Sequence, residues 1–287
     1  MTNEPFSYQA FAGGEPNDVG GEDATQLRGD GLWNDHQAGP SLGQGGKTLS
    51  YVIEWELNLP SAPTPPFLNI GPQGGKDFFG IREVANNGTM NSVANAEASL
   101  LSGAGAIFDG LAPTVNHNDP DAAGGGGHFG NKAPFLSDTS ADDEDIAFLA
   151  NGYLLVETPG MYTFGFRGDD GSRLRIEGAL FSYRWGGGSA YNDTVIFPGP
   201  TGDSNTAAAT YLDKGVHDLE FIFFERGGGA YVELWAAQGD YSSFNSTDFH
   251  LVGDVAAGGL ALVPEPTTLI LTGLGLAGLV ARRRRRR

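Results

Sequence analysis

Short runs in which every second residue is apolar, each closed by a glycine-bearing turn, constrain this chain most. Residues 161–167 read Met, Tyr, Thr, Phe, Gly, Phe, Arg, which puts Tyr162, Phe164 and Phe166 on one face. A tight turn of Gly168, Asp169, Asp170, Gly171 and Ser172 follows, and residues 173–178 return with Leu174 and Ile176 apolar. The pattern repeats downstream. Residues 215–225 (GVHDLEFIFFE) lead into Gly227, Gly228 and Gly229, and residues 230–235 (AYVELW) complete a second pair. A period of two is the signature of strands with one buried face. Such faces need a partner layer, so the segments read as two hairpins of an all-β sandwich or barrel. With 45 Gly and 16 Pro among 287 residues, helical periodicity has little room. The best helix candidate is residues 90–101, capped by Asn91 or Ser92 and stopped by Gly103.

Composition shifts divide the chain. Residues 1–46 are polar and glycine-rich, residues 49–59 (LSYVIEWELNL) alternate up to Pro60, and residues 60–66 are a proline-rich connector. The clearest strands lie in residues 76–253, and residues 255–262 are small and suit a stalk. The expected organisation is therefore a β-rich N-terminal extension over 1–75, packing on the main domain. A single sandwich over 76–253, a flexible linker over 254–263 and a C-terminal signal over 264–287 follow it.

The order of turns and strands is similar to the protective-antigen-type domain of bacterial toxins, glycosidases and yeast flocculins and adhesins. The residues that carry the resemblance are Pro159 and Gly160, then Tyr162, Thr163 and Phe164, then Asp169, Asp170 and Gly171, with Leu174 and Gly178 behind them. Gly215, His217, Leu219, Phe224, Glu225, Gly228, Ala230, Leu234 and Trp235 continue it. It covers about 85 residues, with a looser continuation upstream through Phe108, Asp109 and Gly110. The resemblance implies a lectin-like β-sandwich of jelly-roll type with glycine-rich loops.

Asp169 and Asp170 carry the chemistry. Taken alone they leave two readings open. Asp and Gly favour turns, because Asp bonds its own backbone and Gly takes positive φ. The resemblance implies a second use. In the sugar-binding members, two adjacent aspartates joined by a cis peptide bind Ca2+, and the ion coordinates sugar hydroxyls. Ca2+ takes about 6–8 oxygen ligands, so carboxylates and loop carbonyls suit it and open positions accept vicinal diols. Those members also need an asparagine on a second loop, for which Asn192, Asn205 and Asn245 are the candidates.

Other features weigh less. The segments 116–121, with Asp119 and Asp121, and 142–145, with Asp142, Asp143, Glu144 and Asp145, depart from EF-hand spacing and read as solvated loop charge. The five histidines form no His-x-x-x-His pair, which disfavours zinc. Tyr183, Trp185, Tyr191 and Trp235 can stack on sugar rings or fill a core. The glycine pattern of residues 273–278 matches a dinucleotide fingerprint, but no strand precedes it and no acidic residue follows.

The C-terminus is a three-part device. Pro264, Glu265 and Pro266 precede residues 267–281, which hold no charge, and Arg282, Arg283, Arg284, Arg285, Arg286 and Arg287 close the chain. As a helix the apolar run would be about 22 Å long. A bilayer core takes about 20 residues, so the run suits a transient or tilted span. Arginines on its far side place that end in the cytoplasm and the body outside. The three parts resemble the PEP-CTERM signal of bacterial surface proteins. That resemblance implies an exosortase-type membrane sorting enzyme as partner, and an exported, membrane-anchored precursor that ends at the cell surface or outside. Residues 1–6 (MTNEPF) lack the basic start and apolar core of a secretory signal, so the exported precursor is expected to start upstream or to have lost its signal.

Charge narrows the partners. Without the six tail arginines, 11 basic side chains face 35 acidic ones, a balance of −24. Such a body repels nucleic acid and anionic lipid and suits divalent cations. There is no cysteine, which excludes disulfides, thiolate metal sites and a cysteine nucleophile. No Ser-His-Asp set or carboxylate pair stands out. The expectation is a non-enzymatic surface or matrix protein that binds a glycan or extracellular polysaccharide, with Ca2+ assisting, in adhesion. The alternatives are a secreted carbohydrate-active enzyme with its catalytic groups in residues 1–150, and a purely structural matrix protein of the same fold.

Overall fold

The computed structural model describes residues 66–265, apart from 86–87, 89, 122–125 and 140–143, and two strands upstream. The chain divides into two compact units, residues 1–65 and 66–287. In the first, β1 (Ala24–Leu27) and β2 (Trp33–His36) form an antiparallel pair. The strand expected over residues 49–59 and the apolar run 267–281 lie outside the described residues.

The second unit is built from two seven-stranded sheets. In the first sheet the order is β10 (Ser182–Gly186), β13 (Ser204–Leu212), β8 (Gly160–Asp169), β15 (Tyr231–Gln238), β5 (Asn116–Asn118) and β6 (Ala133–Pro134), with β16 (His250–Leu251) also beside β15. In the second it is β11 (Ser189–Tyr191), β12 (Thr194–Phe197), β9 (Ser172–Ile176), β14 (Gly215–Glu225), β7 (Ile146–Val156), β3 (Phe79–Ala85) and β4 (Ala106–Ala112). The expected all-β sandwich is what forms. Its α-helix, α1 (Val93–Ser102), starts at Ser92, whose side chain accepts from Asn95 N–H, and stops at Gly103 in the left-handed region.

The two expected hairpins are not hairpins. β8 lies in the first sheet and β9 in the second, so the Asp169–Asp170 turn carries the chain across the sandwich. The glycine turn after β14 does the same, delivering β15 to the opposite sheet. Alternation reveals which face of a strand is apolar, not whether its neighbour in sequence pairs beside it or packs against it. Here each consecutive pair turns its apolar faces toward each other. Phe164 and Phe166 meet Leu174, Phe221, Phe223 and Leu234 in one core. β8 itself pairs with β13 and β15, and β14 pairs with β7 and β9.

Both outer faces are covered as well. Ile222 and Phe224 of β14 and Leu149 of β7 pack under Val93, Ala96 and Leu100 of α1. On the other sheet Trp235 is fully buried among Phe249, Trp185 and Phe244. Gly165 faces Trp235 across the strand pair. A Cβ there would come within 2.2 Å of the indole, so only glycine lets the ring lie flat on the sheet.

Buried glutamates tie the loops to these faces. Glu220 accepts from Leu68 N–H (2.5 Å), and Asn151 donates to Leu68 O (3.1 Å). Residues 66–75 therefore belong to the sandwich, not to an extension ending at 75. Glu83 accepts from Leu136 N–H (2.9 Å) and Ser137 N–H (2.7 Å), and Glu233 from His128 N–H (2.6 Å) and Phe129 N–H (3.1 Å). A buried carboxylate needs such donors, and loop backbone supplies them.

The expected flexible linker over 254–263 is also corrected. It opens with a short 3-10 turn (Val255–Ala257), and Leu262 then enters the core between Leu154 and Gly253. Small residues suggested a stalk, but Leu260 and Leu262 are apolar anchors for which the sheet leaves room.

Candidate functional site

β8 and β14 both run the length of the sandwich and end at the same pole. Asp169 is the last residue of β8 and Glu225 the last of β14. Asp169, Asp170 and Glu225 each offer a carboxylate oxygen there, all within 4.8 Å of one another. The Asp169–Asp170 peptide bond is cis, as the resemblance implies. Gly171 follows where the chain squeezes between strands. A Cβ on it would lie 2.5 Å from Gly199 O and 2.6 Å from Phe197 O, so the turn requires glycine.

Asp170 organises the surrounding loops. Its Oδ1 accepts from Thr201 N–H (2.8 Å) and its Oδ2 from Arg226 N–H (2.9 Å). Glu225 Oε1 accepts from Gly227 N–H (2.5 Å). The result is an open depression of about 460 Å³ lined by Asp169, Asp170, Pro200, Thr201, Gly202, Arg226 and Gly227. Burial, then the charges of Asp170 and Asp203, push the Asp169 carboxyl up to about 6. Burial also raises Asp170, against the backbone donors of Thr201 and Arg226.

A polar network borders this pole. Arg167 forms a two-pronged ion pair with Asp203, which also accepts from Tyr231 OH. The Arg167 bond holds Asp203 below the usual carboxylate range. Arg167 Nη1 donates to His128 Nδ1 (3.2 Å), which leaves His128 Nε2 to donate to Asn205 Oδ1 (2.9 Å).

The remaining sequence candidates separate. Asn205 is thus engaged with His128, Asn245 Oδ1 accepts from Thr247 N–H (3.1 Å) and Asp248 N–H (2.9 Å), and Asn192 sits in the β11–β12 turn at φ +48°. Asp119 is buried, contrary to the expectation of solvated charge, and forms a second carboxylate trio with Asp121 and Asp138. Asp145 Oδ1 accepts from Met90 N–H (2.7 Å), whereas Asp142 and Asp143 lie outside the described residues. Trp235 is core, whereas Tyr183 and Tyr191 are exposed. Pro264 is half-buried and Glu265 exposed; Pro266 and the arginines 282–287 lie outside the described residues.

Glu225 and Asp203 are the members of this pole that the sequence left unassigned. A signal for Glu225 existed. Like Asp169, it is an acidic residue closing an alternating strand just before a glycine turn. Only the crossing of both strands between sheets brings the two ends together.

Comparison with known proteins follows this geometry. Residues 136–242 match the PA14 domain family and residues 262–286 the PEP-CTERM protein-sorting motif. The chain therefore carries a PA14 domain, over just over a third of its length, and a sorting motif at its C-terminus. No curated protein matches the chain. Among solved structures it is similar to the PA14 domain of MpAFP antifreeze protein, at 17% identity over 68% of this chain and 95% of that one, with a TM-score of 0.45. It is also similar to a PA14 sugar-binding domain from an RTX adhesin, at 16% identity over 66% and 99%, with a TM-score of 0.43. A third is the epithelial adhesin 9 A domain of Candida glabrata in complex with Galb1-4GlcNAc, at 10% identity over 69% and 97%, with a TM-score of 0.42.

Proposed function

We propose that this is an exported surface protein whose PA14 domain binds carbohydrate at the Asp169–Asp170 pole, with Ca2+ assisting. A membrane sorting enzyme of exosortase type processes its tail. The observation that carries the reading is the convergence of Asp169, Asp170 and Glu225 within 4.8 Å, with Asp169 and Asp170 lining an open depression and Glu225 buried behind them. The donor set is all oxygen, which suits a hard cation and not zinc. Three carboxylates so close repel one another, and a divalent cation offsets that repulsion. Bound Ca2+ would supply open coordination positions for the vicinal hydroxyls of a sugar.

The residues of the chain do the rest. Asp170 spends one lone pair of each oxygen on the Thr201 and Arg226 N–H groups and keeps others free, so it fixes both loops without leaving the depression. Glu225 likewise fixes Gly227. The loops 200–202 and 226–227 then form the walls against which a sugar ring would lie. The PA14 match supports a binding role over a catalytic one, with the glycan displayed outside the cell as the class of ligand.

A glycan array probed with and without EDTA tests the reading. Binding that EDTA abolishes and Ca2+ restores is the expected result. Asp169→Asn and Asp170→Asn should each lower Ca2+ affinity at least about tenfold by calorimetry, since each removes a formal charge from the ligand set. Absence of Ca2+ binding at millimolar ion would reduce the aspartates to turn formers. A positive hydrolase screen on polysaccharides would move the protein to the enzyme class.

A further inference from the structure

The sorting motif starts where the sandwich ends. β3 stops pairing with β7 at Asn151, which leaves the β7 edge open beyond it, and residues 261–263 fill that edge while Gly259 and Leu260 bond back to the 253–254 turn. Leu155 N–H donates to Ala261 O (2.9 Å), Val263 N–H to Tyr153 O (2.9 Å) and Asp77 N–H to Leu262 O (3.2 Å). Leu154 and Leu262 form an antiparallel bridge, and Leu262 is only 1% exposed. Glu265 stands just outside, close enough for its charge to raise the Tyr153 phenol and the Asp218 carboxyl, burial being the larger cause in each.

An enzyme that cleaves a peptide next to a recognition motif takes the flanking chain in extended form and pairs with its main-chain groups. Here the groups just before Pro264 are already paired inside the sandwich. We propose that the strap 259–263 is a gate on processing. A membrane peptidase gains the motif only when the strap peels from β7, and re-docking then holds the new C-terminus at this pole. The pole lies opposite the carboxylates, because β7 pairs with β14 from Val156 against Gly215 to Ile146 against Glu225. The domain would thus stand on its attachment point with the candidate site facing away. The proposal rests on reading the tail as a sorting signal.

The chain has no cysteine, so a lock can be engineered cleanly. Leu154 and Leu262 form a non-hydrogen-bonded antiparallel pair, whose Cα atoms stand about 4.5 Å apart, within disulfide range. The full-length Leu154→Cys/Leu262→Cys chain would be placed in vesicles with its sorting enzyme. The oxidised form should lose its tail at least about tenfold more slowly than the reduced form, because local opening limits access. Since that pair alters the core, Tyr153→Cys/Val263→Cys supplies a second lock on the adjacent pair. Leu262→Ala alone should speed processing about tenfold or more, and thermolysin without the sorting enzyme should cut the strap in the same order. Equal processing of locked and reduced chains, or thermolysin cutting parent and Leu262→Ala alike, would overturn the gate. A parent chain that keeps its tail in vesicles while thermolysin spares the strap would overturn the sorting reading instead, and leave the strap a structural element.

Discussion

The two poles of the sandwich are held shut by opposite means. At one, Asp170, Glu225 and Glu83 accept backbone N–H groups from the loops they fix. At the other, Leu262 closes against Leu154 among core side chains, and the remaining contacts are main-chain bonds. Apolar burial stabilises regardless of pH or ions. Carboxylates fix loops only in a defined protonation state, and they answer to cations. The same fold thus has an inert end suited to attachment and a responsive end suited to binding.

A charge placed at the inert pole should break this contrast most severely. Leu262→Asp would bury an unpaired carboxylate among the core side chains that surround Leu262. We expect a loss of about 4 kcal/mol, limited by the strap peeling off in place of global unfolding. Urea unfolding measures the loss, and hydrogen exchange confined to residues 259–263 would identify the peeled state. A variant as stable as its parent would mean that the strap contributes nothing.

The responsive pole should show its character through pH. Burial pushes the Glu83 carboxyl up to about 7, even against the N–H groups of Leu136 and Ser137. Its folded pKa lies above its unfolded value of 4.5, so its contribution is fully present below about pH 4.5 and is lost as pH rises through about 7. Glu83→Gln cannot ionise. Relative to the parent, the variant should therefore gain stability between pH 5 and pH 8, by on the order of 3 kcal/mol. Paired denaturation curves at the two pH values check this, and parallel pH profiles would contradict it.

These contrasts were legible in the sequence only in part. Tyr162, Phe164 and Phe166 announced their face, and Ser92 and Gly103 announced both ends of the helix, because both signals are local. The partner of each strand was not legible. Period-two alternation is the same for a hairpin and for a crossing between sheets, so β8–β9 and β14–β15 look like hairpins in sequence although they cross. The convergence of Glu225 on Asp169 depends on those crossings and stayed hidden for the same reason. Ile222 and Phe224, alternating with Phe221 and Phe223, did carry a hint, since a strand apolar on both faces must be covered twice. The docked strap was missed because glycines and alanines masked the two leucines that seat it.

The finest contrast lies within the carboxylate pole. Asp170 is buried and accepts two backbone N–H groups, whereas Asp169 faces the depression beside two other acids. In EDTA, Asp170→Asn should therefore destabilise by about 1–2 kcal/mol, because an amide turns an NH2 group toward one of the two N–H donors. Asp169→Asn should instead stabilise at pH 7 by about 1–2 kcal/mol, because burial and the neighbouring acids push this carboxyl up to about 6, its ionised form therefore costs stability, and partial exposure screens that cost. With Ca2+ present the two variants should converge, both failing to show the rise in melting temperature that an ion bound only to the folded state gives the parent. Thermal melts of three proteins under two conditions decide it. Equal losses in EDTA would show that both aspartates are turn formers of the same kind. A Ca2+-dependent rise retained by Asp169→Asn would place the ion elsewhere, with the trio of buried Asp119, exposed Asp121 and half-buried Asp138 the next place to mutate.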